Sequence, residues 1–327
     1  MKYLIFGGEG FIGSHLIKYL TIEKNVPAQD VYSFDIKTSG KYGNYAYLDV
    51  RKEINLDIPD LKNSIIFNLA AVHTTPGHED IEYFETNIRG AENIAAFAEK
   101  NGITSIAFTS SIAPYGASEE NKKETTLPTP NTPYGISKLV AEHIFKTWQS
   151  NDKAGRKLLI VRPGVVFGKG EGGNFTRLYN ALKKGFFFYP GRRDTLKASV
   201  YVKDVARVLH DGITSSLPEN LDTYNLTYYP PPSIEEICMT ISRVTNVSQP
   251  RILVPAWFLK TAASAVFSMG RLVGKKFSGI HPDRVKKLMI STNINGEKLS
   301  ESPFHLRFTL EEAIRDWYKD NDNKVIS

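Results

Sequence analysis

Tyr134 and Lys138, in Tyr134-Gly135-Ile136-Ser137-Lys138, are spaced so that a helix puts both on one face. An ammonium beside a phenol stabilises the phenolate, so a group that normally ionises near about pH 10 becomes a usable proton carrier. The spacing therefore predicts a tyrosine of lowered pKa. It occurs twice, however, at Tyr134/Lys138 and at Tyr179/Lys183, and must be resolved by context. A second chemical element is Gly7-Gly8-Glu9-Gly10-Phe11-Ile12-Gly13. Glycines there allow a tight turn and a close approach of pyrophosphate to a helix N-terminus, whose free N–H groups and dipole favour anions.

For that loop to bind a dinucleotide it must follow a strand and open a helix. Lys2–Phe6 reads as a short apolar strand and Phe11–Leu20 as an amphipathic helix. The next strand, from Val31, ends at Asp35, 22 residues after Gly13, where a carboxylate grips adenosine ribose hydroxyls. Asp35 and Glu9 both repel a ribose 2′-phosphate, which favours NAD over NADP; Lys37 and Lys41 pull the other way.

Further strands read at Ser64–Leu69, Ser105–Thr109 and Lys157–Val161, and helices at Glu79–Glu99 and Pro133–Trp148. Strands alternating with helices of this length predict βαβ units and an α/β, doubly wound parallel sheet. After Gly168 the regularity fails. Phe175–Lys184 reads as helix and Phe186–Gly191 as an aromatic strand into a turn. Val200–Leu209 and Thr223–Leu226 are expected to return to the sheet, and the chain beyond Pro232 reads as mostly helical to Tyr318. The expected division is a cofactor domain of residues 1–168 with return segments at about 195–228. A smaller, mostly helical substrate domain takes 169–194 and 229–327.

The 327 residues, 41% hydrophobic and 23% charged, are those of a globular chain with a core. One cysteine, Cys238, excludes an internal disulfide and suits a reducing, cytoplasmic compartment. The start carries no secretory pattern. The net charge of +6 is scattered, which favours an anionic small molecule over nucleic acid. The apolar stretch Pro255–Gly274 is interrupted by Lys260 and Arg271, too short an uncharged run to span a bilayer. It is expected to pack on the protein as an amphipathic helix, with a membrane-surface helix as the lesser alternative. The seven histidines show no ligand spacing, His73 and His15 reading as loop and structural residues, so no metal is expected.

With these motifs in order, the chain resembles an extended short-chain dehydrogenase/reductase of the nucleotide-sugar epimerase and dehydratase group, from Met1 to about Asp204. The resemblance implies a Rossmann cofactor domain. It places Gly7, Gly10, Phe11, Ile12, Gly13 and Asp35 on NAD, with Asp49 and Val50 at the adenine. Leu69, Ala70, Ala71 and Pro163 lie alongside the cofactor, and Asn87-Ile88-Arg89-Gly90 beneath the site. Ser111 is implied to hold the reacting oxygen, Tyr134 to exchange its proton, and Lys138 to hold the nicotinamide ribose while lowering the tyrosine pKa. The register leaves Tyr179 as ordinary helix surface.

On the substrate side the resemblance points to Asn174 and Phe175 in a loop over the nucleotide base, to Phe187 or Phe188 lining its pocket, and to Lys197 at the diphosphate. For Lys197, Arg192 and Arg193, solvated surface charge is an equal alternative. Val165 stands where many nucleotide-sugar enzymes have Asn. Ile112 and Ala113 occupy the acidic pair of the 4,6-dehydratases, and two apolar side chains cannot be general acid and base, which argues against dehydration. Alcohol–ketone interconversion remains. The leading expectation is a 4-epimerase of nucleotide-diphosphate sugars serving polysaccharide or surface-glycan biosynthesis. A one-way 4-keto sugar reductase/dehydrogenase or a hydroxysteroid-type dehydrogenase is the alternative, and a non-catalytic sensing scaffold is disfavoured. The family commonly dimerises through the two helices here read as Glu79–Glu99 and Pro133–Trp148. On the latter, Ile136, Val140 and Ile144 are expected to pack on the sheet, leaving Leu139, His143 and Trp148 for a homodimer partner.

Overall fold

The computed structural model describes residues 1–42, 44–73, 77–259, 261 and 289–322. Its frame is a seven-stranded, wholly parallel sheet. The strands are β1 (Tyr3–Phe6), β2 (Val31–Asp35), β3 (Asn44–Tyr47), β4 (Ile65–Asn68), β5 (Ser105–Thr109), β7 (Lys157–Pro163) and β11 (Leu221–Leu226), in the order β3-β2-β1-β4-β5-β7-β11. Three two-stranded ribbons complete the β structure: β6 (Ser118–Lys122) with β13 (Thr292–Ile294), β8 (Val165–Phe167) with β10 (Ser199–Tyr201), and β9 (Tyr189–Pro190) with β12 (Leu253–Val254). Among the described residues the helices are α1 (Phe11–Lys18), α2 (Asp80–Tyr83), α3 (Arg89–Lys100), α4 (Pro133–Ser150), α5 (Asn174–Lys183), α6 (Val202–Thr214), α7 (Ile234–Thr245), α8 (Glu297–Ser300) and α9 (Leu310–Asp320).

The strands are nearly continuous apolar runs because a doubly wound sheet is covered on both faces. Alternate side chains feed opposite layers. Ile5, Phe67, Ala107 and Leu159 pack with Leu16 of α1 and Val205 and Leu209 of α6. Leu4, Phe6, Ile66, Ile106 and Phe108 pack with Ile94 of α3 and Phe145 of α4. A third core joins Phe167, Phe175, Tyr179, Ile237 and Trp317, and so fastens α5, α7 and α9 to the end of the sheet domain.

The parallel sheet, its first two βα units and β5, α4 and β7 follow the sequence expectations. Three local expectations fail wholly or in part. Of Val200–Leu209 only Val200 and Tyr201 are strand, in β10, which pairs with β8 rather than with the main sheet. Val202 begins α6, whose apolar residues recur at helical spacing. Tyr179 is not helix surface but 2% exposed, packed with Phe175 and Leu182 in the third core. The expected faces of α4 are met only in part: Ile144 packs on the core and His143 lies outside as expected, but Ile136 is exposed and Trp148 is buried. Ser137, Lys138, Ala141, Glu142, Phe145 and Trp148 point inward, while Ile136 is 39% exposed. The polar Ser137, Lys138 and Glu142 have buried partners, so an apolar-stripe count misplaced part of the inner face. Among its described residues the region after Pro232 carries the two short strands β12 and β13 besides its helices. The expected Pro255–Gly274 helix falls mostly outside the described residues. Among the described residues no helix is long and apolar enough to cross a membrane.

Candidate active site

The glycine loop leaves β1 and enters α1 at the carboxyl edge of the sheet. Gly7 has φ +83°, and a Cβ there would lie 2.7 Å from the Ala70 amide nitrogen; only glycine lets the turn sit this close to the segment after β4. The Gly7 N–H donates to the Phe34 carbonyl at 2.7 Å and the Leu69 N–H to the Phe6 carbonyl at 2.8 Å, which locks the loop to its neighbours. Helix α1 starts at Gly10 with no capping side chain and no acidic residue in its first turn, so its leading N–H groups are open to an anion. Asp35, at the tip of β2, accepts from the Glu9 N–H at 3.1 Å and the Lys37 N–H at 3.2 Å, and these bonds aim its carboxylate. At the same edge the buried Asn68 Oδ1 and Thr109 Oγ1 have no hydrogen-bond partner. Backbone cradle, open helix start, a carboxylate at the β2 tip and unpaired polar atoms all fit a dinucleotide.

Not every expected contact residue is offered to that groove. Glu9 is 7% exposed; its carboxylate accepts from Ser33 Oγ at 2.8 Å and the Lys41 N–H at 2.9 Å, so it shapes the loop. The Lys37 ammonium donates to the Glu9 carbonyl. Asp49 is engaged by Arg51 through Nε and Nη2 at 2.7–3.1 Å, and that guanidinium holds its carboxyl below the usual range. Val50 is buried beneath Gly90.

Ser111 and Tyr134 meet. Thr132 caps α4, accepting from the Gly135 N–H at 3.1 Å, and Pro133 opens the helix. A Cβ on Gly135 would lie 2.7 Å from the Ala113 carbonyl oxygen, so glycine lets the helix touch the turn carrying Ser111. The Ser111 hydroxyl accepts from the Ala113 N–H at 3.1 Å and lies close enough to the Tyr134 phenol to act on its ionisation. Burial pushes the phenol up; the Ser111 hydroxyl opposes the shift, and Lys138 is not among the groups acting on it. The expectation of a lysine-lowered tyrosine is therefore not met in this structure. Lys138 Nζ instead lies 4.5 Å from the centroid of the Phe108 ring, and burial lowers it to about 7, with Glu142 the opposing charge.

Asn87 braces this helix from below. It accepts from the Val72 N–H at 3.0 Å and donates to the Val72 carbonyl at 3.1 Å and to Ser137 Oγ at 2.9 Å. His73, next along, sits at the exposed rim against the Ala71 backbone, within reach of the Lys138 charge. Sequence reasoning missed Glu142, which is wholly buried. It accepts from Ser110 Oγ at 2.5 Å and pairs with Arg162, one residue before Pro163. The signal available was a carboxylate one turn beyond Lys138 on the buried face.

Substrate-side residues are less convergent. Asn174 opens α5, but Phe175 is 4% exposed and stacks on Phe167 at 4.3 Å, a core position. Phe187 faces inward, edge-on to Tyr189, whereas Phe188 is 40% exposed. Lys197 donates to the Ile290 carbonyl at 3.0 Å and is brought down to about 8 by burial, with Arg192 adding to the effect. Arg192 is held by Glu119 and Ser291, so it is not free surface charge.

Residues 3–226 match the family described as "NAD dependent epimerase/dehydratase family". A relative from Escherichia coli O157:H7, "N-acetyl-alpha-D-glucosaminyl-diphospho-ditrans,octacis-undecaprenol 4-epimerase", is 26% identical over 312 residues, 95% of this chain and 92% of its own. The "GDP-6-deoxy-D-talose 4-dehydrogenase" of Aggregatibacter actinomycetemcomitans is 28% identical over 232 residues, 69% of this chain and 74% of its own. The solved structure "MoeE5 in complex with UDP-glucuronic acid and NAD" superposes with a TM-score of 0.72 at 22% identity, covering 98% of this chain and all of that one.

Proposed function

This chain belongs to the NAD dependent epimerase/dehydratase family and is an enzyme that works with NAD; from that premise we propose that it is a 4-epimerase of sugar diphosphates in glycan biosynthesis. The observation that carries the reading is the Ser111–Tyr134 contact beside buried Lys138, with only apolar Ile112 and Ala113 next to the serine. Ser111 and Tyr134 suffice for alcohol–ketone interconversion, and the absence of a neighbouring acid–base pair disfavours 4,6-dehydration.

When bound, NAD supplies the hydride acceptor and donor for C4. The chain's own residues manage the proton. Ser111 holds the C4 oxygen, and Tyr134 takes the hydroxyl proton as the ketone forms and returns it as the alcohol is restored. Lys138, one turn further along the helix and held over the Phe108 ring, would grip the nicotinamide ribose rather than charge the proton carrier. The sugar turns between the two half-reactions, so the hydride removed from one face of C4 returns to its other face while Tyr134 serves the C4 oxygen in both.

The diphosphate joins a nucleotide in the MoeE5 complex and a polyprenol in the substrate named for the Escherichia coli relative, and the shared sugar diphosphate is the substrate class proposed here. Lys197 and Arg192 are its candidate partners. The test incubates the enzyme with UDP-glucose, UDP-N-acetylglucosamine and N-acetylglucosaminyl-diphospho-undecaprenol without added reductant. The reading requires a C4 epimer from at least one of them. Stoichiometric formation or consumption of NADH would instead establish a one-way dehydrogenase, the activity named for the Aggregatibacter relative.

A further inference from the structure

Fifteen large hydrophobic side chains are exposed among the described residues, and six of them, Phe186, Phe188, Ile252, Leu253, Trp257 and Phe258, lie on the β9/β12 ribbon or the segments that flank it. In the ribbon the Tyr189 N–H donates to the Ile252 carbonyl and the Gly191 N–H to the Val254 carbonyl, both at 2.8 Å. In the segment leading into β9, Phe186 and Phe188 are exposed while Phe187 and Tyr189 turn inward. Trp257 and Phe258, edge to face at 5.9 Å, follow β12 directly; their exposures of 68% and 52% are far from those of core residues.

Positive charge frames this corner. Lys183 and Lys184 end α5 just before Phe186, and Arg251 immediately precedes Ile252; all three are exposed. Arg193 ties the frame to the ribbon, donating to the Arg251 carbonyl at 3.0 Å with its guanidinium over the Tyr189 ring. Aromatic and aliphatic side chains rimmed by lysine and arginine match the interface of an anionic bilayer, where rings sit at headgroup depth and cations meet lipid phosphates. A second copy of this chain fits less well, because a two-fold contact would press the like charges of the two rims together. The same ribbon runs on into Arg192 and Lys197, the candidate diphosphate partners, so the apolar corner lies on the substrate side of the molecule.

We propose that this corner docks the enzyme on the anionic surface of a lipid bilayer and thereby presents the site to a sugar diphosphate carried on lipid rather than on a nucleotide. The choice of substrate carrier rests on the function proposed above; the docking itself does not.

The full chain is mixed with vesicles of phosphatidylcholine alone and of phosphatidylcholine with an anionic minority of phosphatidylglycerol. Binding is read by sedimentation and by tryptophan emission, neither of which involves turnover. Trp148 and Trp317 are buried, at 3% and 0%, so a blue shift on adding vesicles reports Trp257 in the unaltered protein. The expected results are a blue shift and sedimentation with the anionic vesicles, weakened at least about tenfold in Phe186→Ser/Trp257→Ser/Phe258→Ser and reduced in Lys183→Glu/Lys184→Glu. Absence of both shift and sedimentation overturns the proposal, as does undiminished sedimentation of a folded triple variant. So does a dimer by light scattering that the triple variant dissolves while vesicles take up no protein.

Discussion

Glu142 and Arg162 form a buried ion pair, Nη2 to Oε2 at 2.5 Å and Nε to Oε1 at 2.8 Å, between the helix bearing Tyr134 and Lys138 and the strand ending at Pro163. The same carboxylate takes the Ser110 hydroxyl, and the guanidinium reaches the Tyr115 phenol, which donates to Asn225 of β11 at 3.0 Å. The pair thus joins the serine turn, the helix bearing Tyr134 and Lys138, and β7 in one charged network inside a low-dielectric layer. Its purpose is registry, since burying two charges gains little net stability.

Breaking one side of the pair leaves an uncompensated buried charge. Glu142→Ala is expected to cost about 3–5 kcal/mol in urea unfolding, whereas Glu142→Leu/Arg162→Met recovers much of that loss. A loss under about 1 kcal/mol for the single variant would remove the network from the account.

Tyr134→Phe keeps the ring and its packing against Tyr83 at 6.2 Å but removes the proton carrier. Turnover should fall by about 10²–10⁴ with NAD affinity nearly unchanged. Near-normal turnover would sink the mechanism. Tyr179→Phe, which alters a core phenol distant in sequence from the site, should leave turnover within a few-fold.

Asp35 should make the enzyme bind NADH more tightly than NADPH, because its carboxylate opposes a ribose 2′-phosphate. Fluorescence titration of both reduced cofactors at one ionic strength measures the gap, and Asp35→Ser should narrow it. If the wild type prefers NADPH, Lys37 rather than Asp35 governs the site.

Lys138 links stability to pH. Its folded pKa, about 7, lies below the unfolded value near 10.5, so between these limits the unfolded chain holds the extra proton. The penalty for its burial is full below about pH 7 and is relieved as pH rises towards about 10.5. Lys138→Met should therefore raise Tm over wild type most at pH 6 and progressively less towards pH 10. A difference that is flat or grows with pH would show that burial does not control this lysine.

Much of this architecture was legible before the structure, for local reasons. The Gly7–Gly13 turn, the β2 tip at Asp35 and the Thr132-Pro133 start of α4 each advertise their geometry within a few residues. What failed to show depends on contacts across the chain. Glu142 and Arg162 are 20 residues apart, and a buried carboxylate reads as surface until its partner is found. Trp148 belongs to the inner face of α4 because polar Lys138 and Glu142 share that face, which breaks the apolar pattern. Tyr179 is interior because α5 is covered by the C-terminal helices, and Lys138 spares Tyr134 its charge because Phe108 sits under the ammonium. Edge strand β3, Asn44–Tyr47, went unread because none of its four residues is buried and none imposes an apolar alternation.

The central claim is that C4 is inverted by oxidation and re-reduction within one site, with Tyr134 moving the proton and no solvent hydrogen reaching carbon. It is tested most directly by running the epimerisation in D2O and reading C4 of the recovered epimer by NMR and mass spectrometry. The account predicts an inverted product that retains protium at C4, with no net change in NADH. Deuterium at C4 would mean that the carbon is deprotonated into solvent, and would contradict it.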